Sequence, residues 1–352
     1  MIQAHLRISY ESTLSFTKEL GFLLRSGVSL YRALQIIRQQ GKDILLNSLL
    51  DDFLQEIAEG SSFSACIAKY PKVFSRFYKQ MIVVGESRGE LESALERIEQ
   101  YLEKQKEMRE KIVNALTYPA ILLVLGLLVL AGMLIFVFPR FAEIFVSAGV
   151  ALPLPTRVLI GLQKFLARFF PYILILLAAM VCGYFMLLRR KKFRFFIHAQ
   201  YLRCPVLGNL VLAVELARFT RTLGTLYASG VQLLEALALS KAVLGNAALR
   251  QEMDRVIISV RDGKGMSRLL AKSVLFPPLL TQMLAVGEES GSLDKVLMNC
   301  AEYYTQETEY LLKRYLALLE PAALVLIAAF VMLIAASIML PLFRMSSTLR
   351  VI

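Results

Sequence analysis

The chain states one pattern twice, so whatever it folds into must be built from two copies of the same unit. Residues 16–37 read FTKELGFLLRSGVSLYRALQII. Residues 219–240 read FTRTLGTLYASGVQLLEALALS, 203 positions later, with 11 of 22 positions identical. A second pair follows at an offset of 202: QMIVVGESRGEL at 80–91 and QMLAVGEESGSL at 282–293, identical at seven of 12 positions. A unit of about 200 residues is far longer than the periods of solenoid repeats, so this is a duplicated domain. Each copy runs into a long apolar stretch.

Those stretches set the class. Residues 112–139, 169–188 and 321–343 carry no charge. Residues 119–139 alone number 21, enough for one helix across a hydrocarbon core about 30 Å thick. The chain is 57% apolar and 19% charged, more apolar than an ordinary soluble domain. A buried core helix is the alternative for each run, but three such runs in one chain would make an unusual soluble core. No sustained alternation and no hairpin signal marks a strand. The sequence therefore predicts an all-α integral membrane protein. It has two homologous cytoplasmic helical bundles, of about six helices each, and three transmembrane helices.

Charge gives the orientation. The first ten residues, MIQAHLRISY, lack the apolar core and small-residue cleavage site of a secretory signal, so the first repeat is expected in the cytoplasm. The net charge of +12 follows the ends of the apolar runs, as basic residues do on the cytoplasmic side of a membrane. Arg189, Arg190, Lys191, Lys192 and Arg194 directly follow the second run. Lys104, Lys106, Arg109 and Lys111 precede the first, and Lys313 and Arg314 the third. The expected order is a cytoplasmic repeat at 1–111, a span at 112–139, and a short extracytoplasmic loop with an amphipathic segment at 140–168. A span at 169–188, a basic cytoplasmic linker at 189–212 and the second repeat at 213–318 follow. A third span at 319–343 and an extracytoplasmic tail at 344–352 complete it. Because the basic residues track membrane ends and not one exposed face, membrane lipid is the expected contact and nucleic acid is not.

Helical spacing places the elements of the first repeat at 11–25, 29–39, 44–58, 61–68, 74–84 and 91–111, with the last running into the first span. The shared motif Gly-Glu-x-x-Gly-x-Leu falls between the fifth and sixth. Gly85 and Gly287 are expected to end helix five or let it pack closely, and Gly89 and Gly291 to supply the turn into helix six. Gly27 and Gly230 stand where helix one needs a left-handed C-cap. Glu86 and Glu288 are expected near the start of helix six, accepting backbone N–H bonds at the positive end of its dipole. A partner contact, or a cation shared between subunits, is the other reading of these acids. Cys66, Cys182, Cys204 and Cys300 lack metal spacing and read as small buried apolar residues. His5 and His198 are far apart and outside any Ser/Asp or metal constellation, so they read as solvated or interfacial. No catalytic residue, cofactor or metal site is expected, and no GxxxxGK[ST] phosphate loop is present.

These residues, taken together, resemble the type II secretion F / type IV pilus inner-membrane platform family. The resemblance rests on SGVSLYRAL and SGVQLLEAL, then VGESRGEL and VGEESGSL, in order and duplicated. LPLPTRVLIGL at 152–162 and CPVLG at 204–208 add to it, as do the span entrances at Thr117-Tyr118-Pro119 and Glu320-Pro321. It covers residues from about 12 to 343. Longer members carry several dozen residues before the first repeat, a segment that could contact a motor, where this sequence starts almost at the repeat. The copies also differ: Lys79 and Arg88 stand where Thr281 and Ser290 do, which points to different partners for the two.

The resemblance implies a non-enzymatic platform in a bacterial inner membrane. A cytoplasmic assembly ATPase would drive it. Pilin or pseudopilin subunits would be its cargo, and other platform components and further copies of itself its neighbours. Protein secretion, pilus biogenesis and DNA uptake are all compatible outputs. A small membrane transporter or channel is the alternative. Transport tends to need ionisable residues inside the spans, whereas here Asn114 and Glu320 lie only at the edges.

Overall fold

The computed structural model describes residues 8–41, 43–147, 154–188, 191–204 and 207–349, and among these every regular element is helical. The first repeat holds α1 (Tyr10–Arg25), α2 (Leu30–Gln40), α3 (Ile44–Ala58), α4 (Phe63–Ala68), α5 (Arg76–Arg88) and α6 (Leu91–Gly132). Between the repeats lie α7 (Phe138–Ser147), α8 (Leu154–Leu188) and α9 (Lys191–Arg203). The second repeat restates the order of the first as α10 (Leu207–Ala228), α11 (Leu233–Val243), α12 (Ala247–Arg261), α13 (Met266–Leu270), α14 (Pro278–Ser290) and α15 (Leu293–Leu349). The stretch expected as a linker at 189–212 thus contains α9 and the start of α10, because KKFRFFIHAQYLR has neither Gly nor Pro to stop a helix.

The helix starts are written locally. Ser9, Asp43, Ser62, Ser75 and Asn246 each accept a backbone N–H from the first turn of the helix that follows, which satisfies donors the helix itself cannot.

Residues fall into two compact units. One contains 1–110 and 195–309, so both repeats belong to it. The other contains 111–194 and 310–352. In the first unit, consecutive short helices pack in the same order in both copies. Their cores use matched positions: Leu20 and Leu223, Leu34 and Leu237, Leu50 and Met253, Ile82 and Leu284, Leu95 and Leu297 are all fully buried. The filling differs. The first core is aromatic, with Phe53 against Phe63 at 5.8 Å and Phe74 against Tyr78 at 4.8 Å. The second places Met266 where the first has Phe63 and Met253 where it has Leu50, both fully buried.

In the second unit, α6 and α15 each carry a stretch long and apolar enough to cross a membrane. Prolines interrupt their ladders without ending them. Pro119 sits inside α6. A π turn at Met133–Val137 joins α6 to α7 just before Pro139, where the missing N–H relaxes the regular bonding. Leu130, Leu134 and Phe138 pack with Leu159 of α8 and Ile334 of α15 in one buried cluster. Outside it many apolar side chains are exposed, Val113, Ile121, Leu128, Val325 and Met332 among them. This is what a lipid-facing surface requires.

Candidate functional site

The repeated Gly-Glu-x-x-Gly-x-Leu segment forms the same device twice. Helix α5 runs to Arg88 and stops at Gly89, whose φ of 70° is left-handed; Gly291 does the same for α14 at 66°. Of the two uses expected for Gly85 and Gly287, close packing is the one observed, because both lie inside their helices. A Cβ on Gly85 would run into the Ala94 Cβ, and one on Gly287 would come within 3.2 Å of the Val296 Cβ. The glycine therefore lets the next helix fold back tightly over the turn. Gly27 and Gly230 end α1 and α10 with φ of 80° and 82°.

The acids serve a different helix from the one expected. Glu86 accepts the N–H of Phe63 at 2.7 Å and that of Ser64 at 3.1 Å. Glu288 accepts those of Met266 at 2.6 Å and Ser267 at 3.2 Å. These are the starts of the short fourth helices α4 and α13, not of helix six. Sequence distance misleads here: the carboxylate is close to helix six along the chain, but its side chain points across the bundle. With only six and five residues, these helices have few internal bonds, so an outside acceptor for their first donors matters more. Ser62 takes a third donor in α4, from Ala65 at 3.2 Å. In the second copy Gly265 occupies that place, leaving a Cβ position 3.0 Å from a Glu288 oxygen.

A related pair holds the third helices. Asp43 caps α3 and is itself bonded by Ser12 at 2.9 Å. One repeat on, Asn246 caps α12 and buried Glu215 accepts the Gly245 N–H at 2.7 Å. Burial raises the Glu215 carboxyl above its ordinary range, opposed by that N–H and by Arg218. Of the two readings of His198, solvated or interfacial, the structure favours the second, with the residue half-buried between α9 and the start of α12. Its Nδ1 accepts the Ala247 N–H at 3.0 Å and its carbonyl accepts from Asn246, so it helps start α12. His5 lies outside the described residues. Of the cysteines, Cys66 and Cys300 are buried, but Cys204 is half-buried and Cys182 exposed. Burial, with Glu56 beside it, pushes the Cys66 thiol up to about 12, which leaves it inert.

The two repeats meet within their unit through residues of which some differ between the copies, Arg88 and Arg97 standing where Ser290 and Asn299 do, and some, Tyr101 and Ser229, are shared with Tyr303 and Ser26. Arg88 donates to the Ser229 carbonyl at 3.0 Å and Arg97 to the Ser229 hydroxyl at 3.0 Å. Tyr101, stacked on Phe77 at 3.9 Å, bonds Thr222 at 3.0 Å. Gly230 is favoured by its left-handed φ of 82°, and a Cβ there would also have to displace the Arg88 guanidinium. In the sequence, the Arg88/Ser290 difference is the one visible signal of it. Arg97 and Tyr101 give none, because each looks like an ordinary residue on the polar side of a long helix.

In the membrane-type unit, duplication shows again. Tyr118 donates to Glu320 at 3.3 Å, and these residues stand one repeat apart at the two span entrances, each at a proline, Pro119 and Pro321. Gly126 admits Ile327 so closely that a Cβ would sit 2.6 Å from its Cδ1, the small-residue approach typical of membrane helices. Thr156 donates to the Ser337 carbonyl at 2.8 Å, both buried. That carbonyl has no helical donor because position 341 is proline. Of the basic cluster, Lys191, Lys192 and Arg194 fall in the first turn of α9, while Arg189 and Arg190 lie outside the described residues.

Fold and motif together define a duplicated helical protein with two helices apolar enough to cross a membrane, whose two repeats share one compact unit. The description "Type II secretion system (T2SS), protein F" matches residues 16–139 and 219–341. The chain belongs to that family. It is 34% identical over 337 residues to the type IV pilus assembly protein PilC of Thermus thermophilus, covering 96% of this chain and 83% of that protein. It is 34% identical over 336 residues to the type II secretion system protein F of Xanthomonas campestris pv. campestris, covering 95% and 82%. To the corresponding protein of Pseudomonas aeruginosa it is 32% identical over 330 residues, covering 94% and 82%. The two apolar helices and the family fit an inner-membrane protein with a platform role in secretion or pilus assembly.

Proposed function

We propose that this chain is the non-enzymatic inner-membrane platform of a type II secretion or type IV pilus-like machine, joining a cytoplasmic assembly ATPase to the addition of pilin-like subunits. The observation that carries the reading is the duplicated unit whose copies each end in an apolar helix, matched twice by the same family. Mechanically the reading is coherent. The repeats are tied together by Arg88, Arg97 and Tyr101, so a push on one is passed to the other. Helices α6 and α15 each begin in the soluble repeats and reach the apolar segments without a break in the chain's helicity. A long helix is a stiff element through which displacement can travel. The repeats are assigned to the cytoplasm, the apolar stretch of α8 to a third span, and the carboxyl terminus to the far side. Partners are the ATPase, pilin or pseudopilin subunits, other platform components and further copies of the chain.

The test is a deletion in the native host, complemented in trans. Loss of surface filaments or of a secreted protein, with the ATPase and pilins still made, is the expected result. Purification of the complementing protein should bring the ATPase with it. Normal filaments and normal secretion in the deletion strain would overturn the proposal.

A further inference from the structure

The duplicated unit uses its repeat-to-repeat contact once and leaves both halves of a second such contact open. In the first repeat, Phe77 and Tyr101 form the face that meets the second repeat, and they are 3% and 5% exposed. Their counterparts one repeat on, Leu279 and Tyr303, are 43% and 46% exposed, and Val286 beside them is 55% exposed. The corner on the other side of the contact shows the same contrast. Ser229 and Val231 are buried, whereas Ser26 is exposed and Val28 half-buried. Phe22, which stands where half-buried Thr225 does in the second repeat, is 64% exposed. Large aromatic side chains left in water at matched positions are costly unless something covers them.

We propose that the α14–α15 face of one copy docks on the α1–α2 corner of a second copy of this chain, repeating between molecules the contact made within each. The occupant follows from the fold. The equivalent corner of the second repeat, α10–α11, is covered by the α5–α6 face. The α14–α15 face is the repeat's other version of that shape, and another copy supplies it free. The chemistry carries over. Glu19 stands where Thr222 meets Tyr101, so the Tyr303 hydroxyl finds a carboxylate acceptor. Ser26 stands where Ser229 receives Arg97, opposite Asn299. The replacement of Arg88 by Ser290 gives this second contact fewer charged donors, and it relies instead on Phe22, Leu279 and Val286. Such a contact is heterologous, head to tail, so it builds a ring or a row and not a closed two-fold pair. It refines the expectation of a homo-oligomer and stands independently of the machine in which the protein works.

The experiment uses the full chain in its native membrane, as two differently tagged copies made together, with the photo-cross-linker p-benzoylphenylalanine at position 22. Illumination should give a species carrying both tags, and its cross-linked peptide should come from residues 279–303 of the second copy. Val286→Arg in that copy should lower the yield by about tenfold, the effect of losing one buried aliphatic side chain and inserting a charge. Ile258→Arg, at an equally exposed site on α12, should leave the yield unchanged. Cross-links to residues around 22 of the second copy, to a different protein, or to nothing would overturn the proposal. So would equal effects of the two arginine variants. Because the readout is a cross-link and not a filament, its failure leaves the platform proposal standing.

Discussion

At the residue scale, the two repeats permit paired experiments in which each copy is the control for the other. Glu86 and Glu288 hold their short helices with both carboxylate oxygens. A glutamine keeps one acceptor and turns an amide donor towards the second N–H. Each Glu→Gln variant should therefore lose about 0.5–2 kcal/mol, the range of an N-cap. Glu288→Gln should lose more, because Ser267 also donates to that carboxylate through its hydroxyl. Melting of the purified full chain checks this, and equal, unchanged melting temperatures would refute it. Glycine gives a second pair. A methyl group added at Gly27 would meet nothing within 4 Å, so Gly27→Ala should cost only its left-handed backbone, about 1 kcal/mol. Gly230→Ala should cost more, since it also displaces Arg88 from Ser229. Glu215 adds a pH dependence. Its folded carboxyl ionises at higher pH than the unfolded one, so the fold loses stability as pH rises from the unfolded to the folded pKa. Glutamine has no such proton to lose. The melting advantage of Glu215→Gln over the parent should thus grow as pH rises above the ordinary carboxylate range; a constant difference would mean that burial is not the controlling cause.

At the element scale, helix existence is legible in the sequence and helix partnership is not. The apolar spacing of 11–25 and 44–58 matches α1 and α3 to within a residue, because spacing, an N-cap and a terminal glycine all act locally. The partner of Glu86 is misread from sequence because that choice depends on how six helices close around Leu34, Leu50 and Phe63, which no short window contains. Arg97 and Ser229 are likewise 132 positions apart. Prolines behave as their chemistry dictates, opening α14 at Pro278, yet two of them do not mark boundaries. Pro119 and Pro341 sit inside helices that neighbours support. The clearest case is testable. Thr156 is the donor that replaces the missing N–H at position 341. Thr156→Val keeps the shape and leaves a buried carbonyl unpaired, a loss of about 1–3 kcal/mol. Thr156→Ser retains the donor and should lose less. If valine melts like the parent in detergent, the carbonyl has found another donor and Thr156 is not what supports Pro341.

At the scale of the whole molecule, the shared unit constrains topology through a count of crossings. Residues 8–110 and 195–309 belong to one compact body, joined by the Arg88–Ser229 bond. A membrane cannot pass through such a body, so the chain between them must cross it an even number of times. Helix α6 is long and apolar enough to make one crossing, and the proposed function has it do so. The return must then be made before residue 195, and α8, whose stretch 169–188 is free of charge, is the segment able to make it. On the proposed platform reading, the basic residues after it, from Arg189 to Arg194, lie at its cytoplasmic end, as the inside-positive tendency expects. Topology reporters in the full chain decide this. Fusions after Lys104 and after Ile197 should both report the cytoplasm, and one after Val150 should report the opposite side. If the fusion after Ile197 reported the far side, α8 would not span, and the two repeats could not share one body in the cell. Loss of the repeat contact through a paired Arg88→Ala and Arg97→Ala variant would then leave function unchanged, whereas a shared body predicts that it weakens assembly while the topology reporters stay as they were.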